Sequence, residues 1–294
     1  MHNHGWILKG TTYGKQFAGR PQRGEAAMTM RPLCEFPTKA KAAVRFVLCD
    51  IDDTITDHGR LPSSSLAAME RFQAAGITVL PITGRPAGWC DHIARMWPVD
   101  GVVGENGAMF FRYDHAARQM HRRYWKTAEQ RAADRMKLDR LAREITATVP
   151  GAAVAADQPY REEDLAIDFA EDVVRLDDKA IARIVALFEG AGAVAKVSSI
   201  HVNGWFGDFD KLSMTRLAMA EFFGRDIDAE RDDIVFAGDS PNDAPMFGFF
   251  PNAVGVANVC DFAGKLTADP AWVTEGRGAA GFLELADVLL EARR

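Results

Sequence analysis

The chain has 294 residues, of which 48% are hydrophobic, and its formal net charge is −6 at pH 7. A chain of this length can bury a sizeable core, either in one large domain or in two smaller ones. No apolar run approaches the roughly 20 residues that a membrane span requires, and no cluster of basic and aromatic residues favours nucleic acid as a partner. The four cysteines form no C-x-x-C motif, which argues against a disulfide framework or a zinc site. We therefore expect a soluble cytoplasmic protein.

Residues 1–42 are rich in glycine, lysine, arginine and polar side chains, and they show neither a helical nor a strand pattern. They contain no continuous apolar segment of the kind found in signal peptides. We predict that they form a flexible amino-terminal arm rather than a signal peptide or a membrane anchor.

An apolar run followed by three carboxylates begins at Phe46 and reads Phe-Val-Leu-Cys-Asp-Ile-Asp-Asp-Thr. The apolar residues predict a buried strand of a parallel sheet, and ligands bind at the carboxyl ends of such strands. Because side chains alternate along a strand, Asp50 and Asp52 point the same way and repel each other unless a cation or a proton compensates. The pair favours a divalent metal, with Asp50 as a nucleophile and Asp52 as a proton donor and acceptor. The alternative is that these acids only cap a turn or a helix.

Two further turns follow predicted strands. Residues 77–82 predict a second buried strand that ends in Thr83-Gly84-Arg85. A hydroxyl and backbone N–H groups at this position can hold a phosphate oxygen, although the same string also suits an ordinary strand-to-helix turn. The Asn-Gly pair at residues 106–107 predicts a hairpin between short strands at 102–103 and 109–111.

Residues 113–204 alternate between helical and strand patterns. Thr127-Ala-Glu-Gln130 is a capping box that opens a helix, residues 165–169 predict a half-buried strand, a second helix covers residues 181–188, and residues 194–202 predict another strand. This order predicts a small α+β domain with one covered sheet face. Its candidate substrate contacts, for each of which a surface charge or a satisfied polar group is the commoner alternative, are Arg122, Arg123, Arg161, Lys196, His201 and Asn203.

The last segment contains two more candidate elements. Lys211 stands at the start of a predicted helix, where a cation opposes the helix dipole and calls for a compensating anion, unless it is simply exposed to water. Residues 234–236 predict a buried strand, and Asp239, Asn242 and Asp243 follow it. Oxygen ligands on a short loop suit Mg²⁺, and the alternative is a turn rich in Asx residues.

These four elements resemble, in order, the four motifs of the haloacid dehalogenase (HAD) superfamily. The matching residues are Asp50-x-Asp52-x-Thr54, Thr83, Lys211, and Gly238-Asp239-x-x-Asn242-Asp243. The string Glu105-Asn-Gly-Ala108 is typical of the type IIB branch, which includes Cof-like, sucrose-phosphate and mannosyl-3-phosphoglycerate phosphatases. One departure is Asp53, where many members have glycine.

The resemblance implies an α/β fold, with a doubly wound Rossmann-like parallel sheet core formed by residues 43–112 and 205–294 and an α+β cap inserted at residues 113–204. It implies a phosphatase that hydrolyses a small phosphoester, best a sugar phosphate, through an aspartyl phosphate on Asp50. A phosphomutase and a non-catalytic phospho-acceptor or metal-binding regulator remain as alternatives.

The resemblance also implies a role for each matching residue. The Mg²⁺ ligands are expected to be Asp50, the backbone carbonyl of Asp52, Asp239 and Asp243. Phosphate would be bound by Thr83, Gly84 and Lys211. Asn242, beside the metal ligands, and Arg85 are expected as additional site residues, and Arg161, His201 and Asn203 as substrate contacts. The identity of the phosphoester and the oligomeric state stay open.

Overall fold

The computed structural model describes residues 30–293, so the first 29 residues of the predicted arm lie outside the described part of the chain. The strands are β1 (Arg31–Pro32), β2 (Phe46–Cys49), β3 (Thr78–Pro81), β4 (Val102–Gly104), β5 (Met109–Asp114), β6 (Gln119–Tyr124), β7 (Ala153–Val154), β8 (Leu165–Asp168), β9 (Val194–Val197), β10 (His201–Trp205), β11 (Ile234–Gly238), β12 (Asn252–Gly255) and β13 (Trp272–Val273). The helices are α1 (Thr38–Ala43), α2 (Ser63–Ala74), α3 (Ala87–Met96), α4 (Ala128–Thr148), α5 (Asp178–Gly190), α6 (Lys211–Phe223), α7 (Ile227–Glu230), α8 (Ala244–Phe249) and α9 (Gly278–Glu291).

The core is a six-stranded parallel sheet in the order β1-β13-β12-β11-β2-β3. Alternate side chains of the fully buried strand β2 enter two separate apolar clusters. Val47 packs with residues of α2 and α9 on one face, whereas Leu48 packs with residues of α6 and α8 on the other. Burial on both faces explains why β2 reads as an uninterrupted apolar run. The predicted fold class is confirmed.

The strand order reverses beside β2, because β3 lies on one side of it and β11 on the other. The chain therefore leaves these neighbouring strands toward opposite faces, and a crevice opens at their carboxyl ends. Residues that follow β2, β3 and β11 meet at this edge. The position of the candidate site follows from this topology.

A separate antiparallel sheet in the order β7-β8-β10-β9 carries α4 and α5, and its own apolar core includes Leu138, Ile167 and Phe188. The prediction of one strand over residues 194–202 is wrong. The segment forms the hairpin β9–β10, with Val197 paired to Val202, because the polar residues at 198–199 form a turn instead of continuing the strand. This turn reaches the candidate site.

Two segment boundaries differ from those expected. The boundary at residue 112 falls inside β5, which pairs with β6 along its full length, so we place the start of the inserted domain after Tyr124. Within the expected arm, residues 1–42, the structure forms β1 and most of α1, and Leu33 and Phe36 are buried in the core. No helix in residues 30–293 has the length and apolar character needed to cross a membrane.

Candidate active site

Lys211 joins two carboxylates at the carboxyl edge of the sheet. Its Nζ donates to Oδ1 of Asp50 and to Oδ1 of Asp243, and each distance is 2.7 Å. The lysine is the first residue of α6, and Asp210 caps this helix by accepting from the Ser213 N–H. Burial would lower the pKa of Lys211, but the two carboxylates outweigh it and raise this pKa above its usual value. The two anions thus compensate a cation at an unfavourable helix end.

Asp50, Asp239 and Asp243 form a buried acidic cluster, in which one ligand atom from each residue lies within 4.8 Å of the others. Burial raises the pKa of Asp50 to about 7, and neighbouring carboxylates add to the rise while Lys211 opposes it. The pKa of Asp239 is also raised well above its usual value, first by burial and then by Asp243 and Asp50. Three buried carboxylates share one ammonium group, so a divalent cation with a preference for oxygen ligands fits the cluster in charge and in chemistry.

Two neutral side chains support Asp239. The Thr54 hydroxyl lies 3.3 Å from Oδ1 of Asp239, and Asn258 Nδ2 lies 3.4 Å from Oδ2. Asn258 Nδ2 also donates to the backbone carbonyl of Asp53 at 2.5 Å, and its Oδ1 accepts from the Gly278 N–H. Sequence reasoning missed Asn258, although its position just after β12, at the same sheet edge, was an available signal.

Asp52 is bound by Arg85. Nη2 of Arg85 donates to Oδ1 of Asp52 at 2.8 Å, and Nε donates to Oδ2 at 2.9 Å. Nη2 also donates to Glu171 of the inserted domain at 2.9 Å, while the guanidinium lies over the Trp89 ring. Burial lowers the pKa of Arg85, but Asp52 and Glu171 outweigh it and raise this pKa above its usual value. Both oxygens of the expected proton donor are therefore occupied in this arrangement.

The turn after β3 is fixed by backbone hydrogen bonds. The buried Thr83 hydroxyl accepts from the Arg85 N–H at 3.0 Å, and the Thr83 carbonyl accepts from the Asn106 N–H at 3.0 Å. A Cβ on Gly84 would lie 3.1 Å from Asn106 Nδ2, which is tighter than most Cβ contacts. The close approach of Asn106 therefore favours glycine at position 84. Thr83 and Gly84 face the same edge as Asp50 and Lys211.

A small cavity of about 20 Å³ lies beside Asp50 and Asp52. Gly84, Arg85, Ser240 and Asn242 line it from the core, and residues 198–201 and Asn203 line it from the inserted domain. A wider cavity of about 360 Å³ shares part of this lining and extends toward the surface, where it is bordered by His58 and Arg175. A third cavity, of about 520 Å³, reaches the acidic cluster at Asp239.

Of the residues expected to contact substrate, His201 and Asn203 line the cavity beside Asp50. Nε2 of His201 lies 2.9 Å from Oε2 of Glu171. The contact with His201 lowers the pKa of Glu171 to about 2, and Arg85 adds to this effect while partial burial opposes it. Sequence reasoning missed Glu171, because it lies in an irregular segment with no recognisable pattern.

Arg161 does not line that cavity. Its wholly buried side chain pairs with Asp157 at 2.8 Å and with Asp164 at 3.0 Å. The expectation of a substrate contact at Arg161 does not match this geometry, since two carboxylates already neutralise the guanidinium. Arg122 and Arg123 instead form ion pairs with Asp91 and Glu221, and Lys196 is exposed on β9.

Comparison with known proteins agrees with this geometry. Residues 47–139 match the family model of haloacid dehalogenase-like hydrolases. Over this stretch the chain is similar to haloacid dehalogenase-like hydrolases. The matched residues include most of β2, all of β3 and the turns that carry Asp50, Asp52 and Thr83. The resemblance inferred from the four motifs is confirmed.

Several solved structures share the fold at low sequence identity. A protein of Thermoplasma acidophilum is 17% identical with a TM-score of 0.65, over 85% of this chain and 99% of that one. A putative HAD/COF-like hydrolase from Plasmodium vivax is 16% identical with a TM-score of 0.62, over 87% and 99%. The sucrose-phosphatase of Synechocystis, solved with sucrose and phosphate, is 15% identical with a TM-score of 0.55, over 83% and 97%. Comparison with curated proteins gave no match.

Proposed function

We propose that this HAD-like hydrolase is a Mg²⁺-dependent phosphatase that acts on a small phosphoester through an aspartyl phosphate on Asp50. The observation that carries the proposal is the buried bridge from Asp50 through Lys211 to Asp243, with Asp239 beside it. A carboxylate is a poor nucleophile toward a phosphate dianion unless nearby positive charge reduces their repulsion. Lys211 supplies part of that charge.

The acidic cluster can bind the metal ion that would supply the remaining positive charge. Asp50, Asp239 and Asp243, with the backbone carbonyl of Asp52, would hold Mg²⁺, and Asn242 lies close enough to the cavity to assist. When bound, the ion would neutralise charge on the phosphoryl oxygens and align them with Asp50. The excess of carboxylates over ammonium groups in the described cluster supports this assignment.

The reaction divides into two balanced steps. An Asp50 oxygen forms a bond to phosphorus, the ester P–O bond breaks, and the departing oxygen receives a proton from Asp52. Water then attacks phosphorus, Asp52 accepts a proton from it, and the bond between Asp50 and phosphorus breaks to release phosphate. Thr83, Gly84 and Lys211 would hold the phosphoryl oxygens through both steps.

Arg85 must release Asp52 before the first step, because a carboxylate held at both oxygens by a guanidinium has no proton to give. The leaving group would enter the space between Asp52 and the inserted domain, where Glu171 already holds Nη2 of Arg85. Arg85 can therefore remain anchored through Glu171 when it leaves Asp52. Substrate arrival and the freeing of Asp52 are coupled in this scheme.

A sugar phosphate is the proposed substrate class. The leaving-group side of the cavity carries serine, histidine and asparagine side chains, namely Ser198, Ser199, His201 and Asn203. These groups match the hydroxyl groups of a sugar, which both donate and accept hydrogen bonds. The similar fold of a sucrose-phosphatase supports the same class.

The test is phosphate release from a panel of sugar phosphates and p-nitrophenyl phosphate, with Mg²⁺ and with EDTA. Asp50→Asn removes the nucleophile, and Asp228→Asn is the matched control because its exposed carboxylate lies in a surface ion pair. We expect metal-dependent release that is lost in Asp50→Asn and kept in Asp228→Asn. Retained activity in Asp50→Asn would refute the mechanism, and isomerised sugar phosphate without free phosphate would indicate the mutase.

A further inference from the structure

Arg161 connects the inserted domain to the turn that follows β3. Its Nη1 donates to the backbone carbonyl of Gly84 at 2.8 Å, in addition to its ion pairs with Asp157 and Asp164. We call these three side chains, Arg161, Asp157 and Asp164, the Arg161 joint. These contacts use Nε, both hydrogens of Nη1 and one hydrogen of Nη2, which is four of the five N–H donors of the guanidinium. Its remaining contact, the carbonyl of Gly84, lies in the core.

That carbonyl belongs to the peptide group between Gly84 and Arg85. The N–H of the same peptide group donates to the Thr83 hydroxyl at 3.0 Å. Because the peptide group is planar, Arg161 at its oxygen and Thr83 at its nitrogen determine its orientation together. A movement of the guanidinium would rotate the N–H away from Thr83.

The orientation of this peptide matters for the Thr83 hydroxyl. A hydroxyl group has one hydrogen to donate and lone pairs that accept. Since Oγ1 of Thr83 accepts from the Arg85 N–H, its own hydrogen can donate to another acceptor, and the phosphoryl group is the acceptor that belongs at this edge. We propose that Arg161 is a positioning residue that aligns the Thr83 hydroxyl toward the phosphoryl group through the peptide between Gly84 and Arg85.

Glu105 keeps the joint in place. Its buried carboxylate accepts from the N–H groups of Glu162, Glu163 and Asp164, at 2.9, 2.7 and 3.0 Å, and from the N–H of Ala87 at the start of α3. It therefore binds the turn that follows Arg161 to the core helix that follows Arg85. Burial and the neighbouring Asp164 raise the pKa of Glu105 to about 7, while Arg161 and the N–H groups of Glu162 and Glu163 oppose the rise.

This inference rests on the proposed function. A double-mutant cycle can show whether the inference fails by itself or together with the proposed function. The measurements are the dissociation constant for inorganic phosphate in the presence of Mg²⁺, by calorimetry, and kcat and KM for the best substrate. The cycle compares wild type, Arg161→Lys, Thr83→Ala and the double variant. Lysine keeps the positive charge next to Asp157 and Asp164 but lacks the planar fork that also reaches Gly84.

The control is Gln158→Met. Gln158 donates to the Asp164 carbonyl and accepts from the Ala166 N–H, so its loss weakens the same segment without removing a contact to Gly84. If Arg161→Lys does not fold, Glu105→Gln replaces it in the cycle, because it displaces the turn beside Arg161 without removing a cation.

We expect Arg161→Lys to weaken phosphate binding by about 10-fold, the effect of one misaligned hydrogen bond to a charged group. In the Thr83→Ala background the same substitution should change binding by less than about 2-fold, because residues that act through one another are not additive. If the losses of phosphate affinity in Arg161→Lys and Thr83→Ala are additive, the inference about Arg161 is wrong. The same holds if Gln158→Met loses as much phosphate affinity as Arg161→Lys, and in both cases the proposed function stands. If the wild type neither binds inorganic phosphate nor releases phosphate from any substrate, both the inference and the proposed function are wrong.

Discussion

Arg85 holds Asp52 through two parallel hydrogen bonds of 2.8 and 2.9 Å, while it also binds Glu171 of the inserted domain. The group expected to move protons is thus linked to the element that covers the site. Bidentate pairs of this kind fix geometry as well as charge. The state of Asp52 therefore depends on where the inserted domain lies.

Arg85→Ala should leave kcat unchanged or raise it, because Asp52 no longer has to be released by Arg85 before it can carry a proton. The matched control is Arg95→Ala, which removes an exposed arginine of α3 that pairs with Asp91. Steady-state kinetics on the best substrate provide the check. A kcat at least about 10-fold lower in Arg85→Ala would contradict this expectation and would show that Arg85 orients Asp52 during the reaction.

Asp239→Asn should stabilise the metal-free protein and abolish most of the stabilisation by Mg²⁺. The substitution removes one of three carboxylates that repel one another in a buried cluster. In the wild type, Mg²⁺ at about 100 times its dissociation constant should add about 2.7 kcal/mol to the free energy of unfolding. Thermal unfolding with EDTA and with Mg²⁺ measures both effects. If Mg²⁺ does not change the melting temperature of the wild type, the metal assignment is wrong.

Glu171 should make stability depend on pH in the acid range. Its pKa is about 2 in the folded protein, below the ordinary value of about 4.3 in an unfolded chain, so its contribution is fully present above the unfolded value. As the pH falls from about 4.3 toward 2, the unfolded chain takes up the proton first and the contribution is lost. Glu171 is partly exposed, which reduces the size of the effect.

Chemical denaturation of wild type and Glu171→Gln, at about pH 6.5 and about pH 4, tests this expectation. The difference in unfolding free energy should be smaller at the lower pH by at most about 1 kcal/mol. Glu162→Gln serves as the control, because its carboxylate lies on the more exposed side of the same domain. If the difference in unfolding free energy between wild type and Glu171→Gln is larger at about pH 4 than at about pH 6.5, the pKa of Glu171 is not lowered in the folded protein.

His201→Ala should change substrate choice more than it changes chemistry. His201 lines the cavity beside Asp50 from the inserted domain, and its Nε2 lies 2.9 Å from Glu171. We expect KM for the best sugar phosphate to rise about 10-fold, with a smaller change for p-nitrophenyl phosphate. Arg122→Ala, in an exposed ion pair, is the control. Equal losses on both substrates would place His201 in the catalytic machinery instead.

The central residues of the site can be predicted from the sequence because each is recognised from its neighbours in the chain. Asp50, Thr83 and Asp239 each follow an apolar run, and parallel strands bring their carboxyl ends to one edge. A cation such as Lys211 is unfavourable at the start of a helix, so the sequence alone indicated a nearby anion. None of these inferences required knowledge of which strands are neighbours.

What the sequence left out depends on contacts between distant residues. The sequence left Arg161 as a substrate contact, a surface charge or a satisfied polar group, and only the fold brings its guanidinium to Gly84, 77 positions away. Leu33 and Phe36 lie in a polar stretch without periodicity, so their burial beside Trp272 was not foreseen. The turn that divides residues 194–202 into two strands was hidden by the apolar residues on either side of it.

The turn at residues 198–200 leaves about 20 Å³ beside Asp50, which is room for about one water molecule. A phosphoester therefore reaches the nucleophile only after this turn moves away. Such an opening is a unimolecular event, and its rate does not rise with substrate concentration. At high substrate concentration the rate of binding should reach a plateau set by the protein, far below the diffusion limit.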